Sequence, residues 1–118
     1  MAFKPEEDKL VYQATTLLNR YVGGTGTPWV MLKAILPDRK DATIKKRFQL
    51  LEVKMKSEIT SFLNSFEHRY AEARKQGTVK EIKGLAFDLK YYLDWYNAQE
   101  AEEVAEKQTS SEFLLFLV

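Results

Sequence analysis

The stretch at residues 41–75, DATIKKRFQLLEVKMKSEITSFLNSFEHRYAEARK, decides the fold class. Its apolar residues recur every three or four positions over the whole length, which is the spacing of one face of an α-helix. They are Ile44, Phe48, Leu51, Met55, Ile59, Phe62, Phe66, Tyr70 and Ala73. The pattern predicts one unusually long helix, about 41–75. Alternating apolar and polar runs typical of strands are nearly missing elsewhere, so we expect an all-α protein.

Helix signals precede this stretch. Pro5 and the three acids after it favour the start of a helix. Apolar residues at helical spacing come next and stop at Gly23, so the sequence predicts a first helix over about 5–22. A threonine and a proline then begin a short second helix, about 28–36, which Pro37 ends. These two helices and the start of the long third helix form a compact N-terminal group.

Helix signals also follow it. Gly77 is a typical helix stop, and Thr78 with Glu81 matches a capping box, which predicts a fourth helix over about 79–100. So short a link predicts an antiparallel hairpin of the third and fourth helices. The polar stretch 101–111 is expected to fray or to act as a linker.

The residue inventory restricts the function classes. A chain of 118 residues has the size of one domain, and its 45% hydrophobic content suits a globular core. It has no cysteine and a single histidine, His68, which excludes disulfide scaffolds and cysteine-based zinc sites. No catalytic constellation is present, so we expect neither an enzyme nor a cofactor or metal site.

Charge is unevenly distributed along the chain. Residues 1–51 carry nine basic and five acidic residues, a net charge of +4, whereas residues 52–118 carry nine and twelve, a net charge of −3. The longest apolar run, residues 113–118, is far shorter than the ~20 residues of a membrane helix, so no membrane partner is expected. The two halves are therefore expected to meet different partners.

Two strings in the N-terminal half resemble the Myb/SANT family. FKPEEDKL, residues 3–10, is similar to the family's opening W-T-x-E-E-D-x-x-L, and WVMLKAILPDRKDATIKKRFQLL, residues 29–51, is similar to its second half. The resemblance implies a three-helix unit over residues 3–51 in which the second and third helices form a helix-turn-helix. We expect one buried cluster of Phe3, Trp29, Ile35, Ile44 and Phe48.

The resemblance also implies a function. The strings look most like the Myb-like segment of the largest, B-block-binding subunits of the RNA polymerase III factor TFIIIC in fungi, which implies nuclear localisation and a role in transcription. The expected partners are duplex DNA and other subunits of a transcription or chromatin complex. The alternative is a SANT-type protein interaction module that assembles such a complex without contacting DNA.

The third helix carries the predicted DNA-binding residues. The resemblance implies that base edges are contacted by Lys45, Lys46 and Gln49, and the phosphate contacts would come from Arg39, Lys40 and Arg47. Lysine can donate to guanine and glutamine can pair with adenine, whereas phosphate contacts release counterions. The competing interpretation is that these charges are merely solvated on a surface helix.

The C-terminal half suggests a protein interface. We divide it into a hairpin extension, residues 52–100, and a linker with an apolar end, residues 101–118. Helix 4 carries more aromatic surface than one helix face can bury, so some of these residues are expected to meet a partner; the alternative is that helix 4 packs between helix 3 and the N-terminal unit. The candidate interface residues are Tyr92, Trp95, Tyr96, Phe113 and Phe116.

Overall fold

The structure, a computed structural model, describes residues 2–24 and 26–117, with side chains over 2–24 and 26–104. Four α-helices form the fold: α1 (Pro5–Leu17), α2 (Asp41–Lys54), α3 (Lys56–Lys75) and α4 (Leu89–Leu117). A π-helical turn, Leu18–Val22, extends α1, and two 3₁₀ turns lie at Trp29–Ala34 and Gly84–Ala86. The described ranges contain no strand, so the all-α prediction is confirmed.

Helix α1 lies at the centre of the molecule. Every residue from Val11 to Leu18 is buried, and α2, α3 and α4 all contact α1. Burying a polar side chain costs free energy, and a residue can offset this cost only by hydrogen bonding inside the protein. Gln13 does so by exchanging two amide hydrogen bonds of 3.1 Å with Asn97 of α4.

The expected cluster around the second helix is only partly enclosed. Ile44 and Phe48 are buried in the core. Phe3, Trp29 and Ile35 are partly buried and pack against it. The Trp29 ring contacts the Phe48 ring, with centroids 6.2 Å apart, and this contact links the 3₁₀ turn to α2.

The prediction of one continuous helix over 41–75 was wrong. The backbone leaves the helical conformation at Met55, with φ −122° and ψ 35°, and this residue separates α2 from α3. A straight helix of that length would extend about 52 Å, whereas α1 with its π-helical turn is about 27 Å long. The bend lets both halves of the apolar stripe pack against α1.

The fourth helix starts ten residues later than the sequence pattern indicated. Gly77 ends α3 with φ +74°, as expected. The anticipated start at residue 79 was wrong, because Asp88 caps the helix instead: its carboxylate accepts the Tyr91 backbone N–H at 3.0 Å, and α4 begins at Leu89. The connection is therefore an ordered loop, residues 76–88, rather than a short turn.

Two tyrosine hydroxyls hold this loop in place. The Tyr70 hydroxyl of α3 accepts the Ile82 backbone N–H at 2.5 Å, and the Tyr92 hydroxyl of α4 donates to the Lys80 carbonyl at 2.6 Å. The loop buries Val79, Ile82 and Phe87. Its apolar residues therefore reach the core without a helix.

Helix α4 continues through 101–111, the stretch expected to fray or to act as a linker. That expectation was wrong at the level of secondary structure. Alanine, glutamate and lysine dominate its first seven residues, AEEVAEK, and they are among the best helix formers. The polar composition of this stretch therefore did not by itself indicate the end of the helix.

An aromatic cluster joins α3 to α4 and to the end of α1. Phe66 is fully buried at its centre. Its ring centroid lies 5.6–6.1 Å from those of Phe62, Tyr70, Tyr21, Trp95 and Tyr96. Such edge and offset contacts add to the free energy of burial itself.

We predict that Phe66→Ala lowers the free energy of unfolding by about 3–5 kcal/mol, because it leaves a cavity that five rings line. Urea unfolding followed by circular dichroism measures the change. Leu85→Ala is the control, since Leu85 is 72% exposed, and a surface substitution of this kind shifts stability by about 0.5 kcal/mol or less. Equal effects of the two substitutions would contradict the central role of Phe66.

Candidate nucleic-acid interface

Helix α2 has an apolar face that is buried and a basic face that is exposed. Ile44, Phe48 and Leu51 are its buried residues, at the i, i+4 and i+7 positions that line one face. Lys45 and Lys46 are exposed and lie about 100° apart around the helix, and the exposed Gln49 projects between them one turn later. The three predicted base-edge residues thus share one solvent-facing surface.

The two predicted phosphate-binding arginines are placed differently. Arg39 makes two hydrogen bonds to the Glu7 carboxylate, at 2.9 and 3.0 Å, and Arg47 makes two to Asp8, both at 2.7 Å. Arginine suits this geometry, because its planar guanidinium matches a carboxylate with two parallel N–H donors. Lys40, by contrast, is exposed.

Phe3 completes this group. The Arg39 guanidinium lies 4.0 Å from the centroid of the Phe3 ring, and that of Arg47 lies 5.5 Å from it. Arg39 also donates to the Ala2 carbonyl at 3.0 Å. We call Phe3, Glu7, Asp8, Arg39 and Arg47 the N-terminal clamp, because it fixes the start of α1 to α2.

The clamp changes the electrostatics of its members. The hydrogen bond from Arg39 holds the pKa of Glu7 below its ordinary value, and the same bond raises the pKa of Arg39. Both arginine charges therefore lie beside a carboxylate. Of the six predicted DNA-contacting residues, all of them described, the cations that face solvent without a carboxylate hydrogen bond are Lys40, Lys45 and Lys46.

Two of the five candidate protein-interface residues are buried. Tyr92 and Tyr96 are 5% and 4% exposed, and Trp95 is partly buried against Phe66. Burial raises the pKa of Tyr96 to about 12, and its hydroxyl donates to Glu100 at 2.8 Å. Helix α4 thus packs these three aromatic residues against the rest of the protein, which was the alternative interpretation, whereas Tyr91 of the same helix is exposed. The side chains of Phe113 and Phe116 lie outside the described residues.

Some features of this region were not found from the sequence. Glu7 and Asp8 were interpreted only as favourable acids at a helix start, and nothing in their spacing pointed to partners more than thirty residues away. Leu50 and Val53, on the outer side of α2, are exposed apolar residues that the helical pattern passed over. A check for apolar residues outside the buried stripe finds both.

Within the described residues, no group of three or more histidine, aspartate or glutamate residues is arranged to hold a metal ion. No helix within the described part of the chain is both long and apolar enough to cross a lipid bilayer.

Comparison with known proteins gives a family. Residues 2–116 match a family of unknown function, DUF6581. The chain belongs to the DUF6581 family. The match extends from before α1 nearly to the end of α4, so this DUF6581 member is matched over all four helices. No curated protein and no solved structure matches it, and the Myb/SANT and TFIIIC resemblances therefore stay predictions.

The clamp predicts acid sensitivity. Because the pKa of Glu7 is lower in the folded chain than in the unfolded one, its contribution to stability is fully present above the unfolded-state pKa and is lost as pH falls through the folded-state value. Glu7→Gln should therefore lower stability at neutral pH and flatten its decline between about pH 6 and pH 3.

The measurement is the urea midpoint as a function of pH. Glu102→Gln is the matched control, since Glu102 is an exposed carboxylate on α4. Its pH profile should follow that of the unmodified chain. A Glu7→Gln profile that also follows it would show that the pairing of Glu7 with Arg39 contributes nothing to stability.

Proposed function

We propose that this chain is a DNA-associated module that lays α2 against duplex DNA. The observation that carries the proposal is the exposed group of Lys45, Lys46 and Gln49 on a helix whose other face is buried. A helix held in this way can enter a major groove without unfolding. Gln49 offers the amide that pairs with adenine, and the lysines offer donors to guanine or phosphate.

The arrangement of the N-terminal elements supports the finer proposal of a Myb/SANT-like unit. In it, α1, the 3₁₀ turn Trp29–Ala34 and α2 take the places of the three helices. The contact between Trp29 and Phe48 resembles the aromatic packing of that family. The quoted strings likewise favour a nuclear role in RNA polymerase III transcription, as part of a TFIIIC-like complex.

The free lysines set the expected strength of binding. Arg39 and Arg47 are held by carboxylates, so phosphate contacts fall mainly to Lys40, Lys45 and Lys46. Three phosphate contacts correspond to a salt slope of about −3 in a plot of log affinity against log salt concentration. We expect weak binding with modest sequence preference, as for one helix-turn-helix unit without a second one.

A second candidate function is protein assembly without DNA contact. It is favoured by Leu50 and Val53, which place apolar side chains on the outer side of α2 close to the lysines. Exposed apolar side chains of this kind suit a protein partner better than a phosphate backbone.

The Lys45→Ala, Lys46→Ala double substitution separates the two functions. It should weaken duplex binding at low salt and reduce the salt slope by about two, because about one unit of slope is lost per phosphate contact. If one lysine contacts a base edge instead, sequence preference relaxes and the slope changes less. Fluorescence anisotropy with a labelled duplex at several salt concentrations measures both quantities.

The control removes the same charge elsewhere. Lys75→Ala with Lys80→Ala takes two exposed lysines from the end of α3 and the following loop, and it should leave the salt slope unchanged. Equal weakening by both pairs would indicate binding by net charge alone. No binding at low salt by the unmodified chain would exclude the DNA function and leave protein assembly.

A further inference from the structure

A groove opens where α1 ends beside the bend between α2 and α3. It has a volume of about 660 Å³, which is within the range of ligand-binding cavities. Its apolar lining comes from Phe48, Val53, Ile59 and Leu63. The bend at Met55 creates this groove, because it turns the end of α2 away from the start of α3.

The groove offers apolar surface to solvent. Val53 is 82% exposed, and Leu50, one turn earlier on α2, is also exposed. Single exposed apolar residues are common on protein surfaces. Here Val53 is part of an apolar lining, and exposed apolar surface of this kind is typical of an interaction site.

The charged residues at one side of the groove carry a small basic excess. Lys56 and Glu52 line it, and the exposed Lys54 lies between them in the sequence, beside the bend. Arg20 also lines it and makes a hydrogen bond of 2.6 Å to Glu67. An occupant with an apolar segment next to acidic residues suits this composition.

The chain itself contains such a segment. Residues 113–118, FLLFLV, are its longest apolar run, and residues 100–112 before them carry five acids and one lysine. Two of these acids, Glu100 and Glu103, pair with Arg69 of α3, so the acids offered to a partner are Glu102, Glu106 and Glu112. Helix α4 extends to Leu117, so residues 113–117 of this segment continue the helix. We call residues 113–118 the apolar tail.

The position of α4 argues against insertion of the tail into the groove of its own chain. Phe62, Ser65 and Arg69 of α3 contact α4. Four α3 residues line the groove, namely Lys56, Ile59, Thr60 and Leu63. Of these, Lys56, Thr60 and Leu63 follow one another at helical spacing on the flank of α3 that lies opposite Phe62, Ser65 and Arg69. A helix that continues α4 therefore leads away from its own groove.

We propose that the apolar tail of one copy of this chain binds in the groove of a second copy. Each copy then offers one tail and one groove, which is a head-to-tail contact. Burial of the tail removes apolar surface from water, and the acids before it meet Lys54 and Lys56. This proposal uses the end of α2 and does not depend on DNA binding.

Sedimentation velocity of the full chain over a range of concentrations, without DNA, tests the proposal. The weight-average mass should rise with concentration. Val53→Asp blocks the groove and Leu114→Asp disrupts the tail, so each should weaken self-association about tenfold or more. Leu85→Asp is the control, because Leu85 is an exposed apolar residue outside the groove, and it should associate like the unmodified chain.

Mixing the two variants gives the decisive result. The Val53→Asp chain keeps an intact tail and the Leu114→Asp chain an intact groove, so an equimolar mixture should regain association that neither variant shows alone. Circular dichroism checks that both remain helical. A full chain that stays monomeric at every concentration, association that Val53→Asp leaves unchanged, or a mixture that stays monomeric would each overturn the proposal.

Discussion

The fold depends on the burial of residues 11–18, which run from the middle of α1 into its π-helical turn. Most helices of globular proteins bury one stripe and leave the opposite face in water. Here eight consecutive residues lie inside, so α2, α3 and α4 must together cover every side of the helix. Gln13 can be buried only because α4 brings Asn97 to it, and the two amides satisfy each other. The pairing also fixes the register of α4, since a shift of one residue would leave two amide groups without partners.

The packing of α1 against α2 also determines which positive charges remain unpaired on the surface, as the N-terminal clamp shows. The start of α1 lies beside α2, and the acids of its first turn meet Arg39 and Arg47. These acids therefore interact favourably with the positive end of the helix dipole and also form ion pairs with the arginines. The sequence places a net charge of +4 in residues 1–51, but the clamp pairs two of its cations with carboxylates. The positive surface that remains belongs to lysines, which are flexible point charges and give little directional recognition.

The bend at Met55 separates two surfaces along α2. Lys45 and Lys46 lie in the first half of the helix, and Val53 lies beside the groove at its end. A straight helix would have carried the apolar residues of α3 past the end of α1 and left them in water. Bending it brings Phe62 and Phe66 to the centre of the molecule and opens a groove on the outer side. The groove is thus a consequence of the packing of both α2 and α3 against α1.

The sequence by itself determined the fold class, the extent of α1 with its π-helical turn, and the stop at Gly77, because helical spacing and glycine conformation are local properties. It also placed Lys45, Lys46 and Gln49 on the outside of α2, since the spacing of Ile44, Phe48 and Leu51 leaves them no other side. The tertiary structure decided the bend at Met55, the late start of α4, the pairing of Arg39 with Glu7 and the burial of Tyr92 and Tyr96. Each depends on which elements meet across the core, and an unbroken helical pattern is compatible with a straight helix as well as a bent one. The position of a lysine on the outer side of a helix follows from the spacing of its neighbours in the sequence. The carboxylate that pairs with an arginine depends on the tertiary structure, because it lies far away in the sequence.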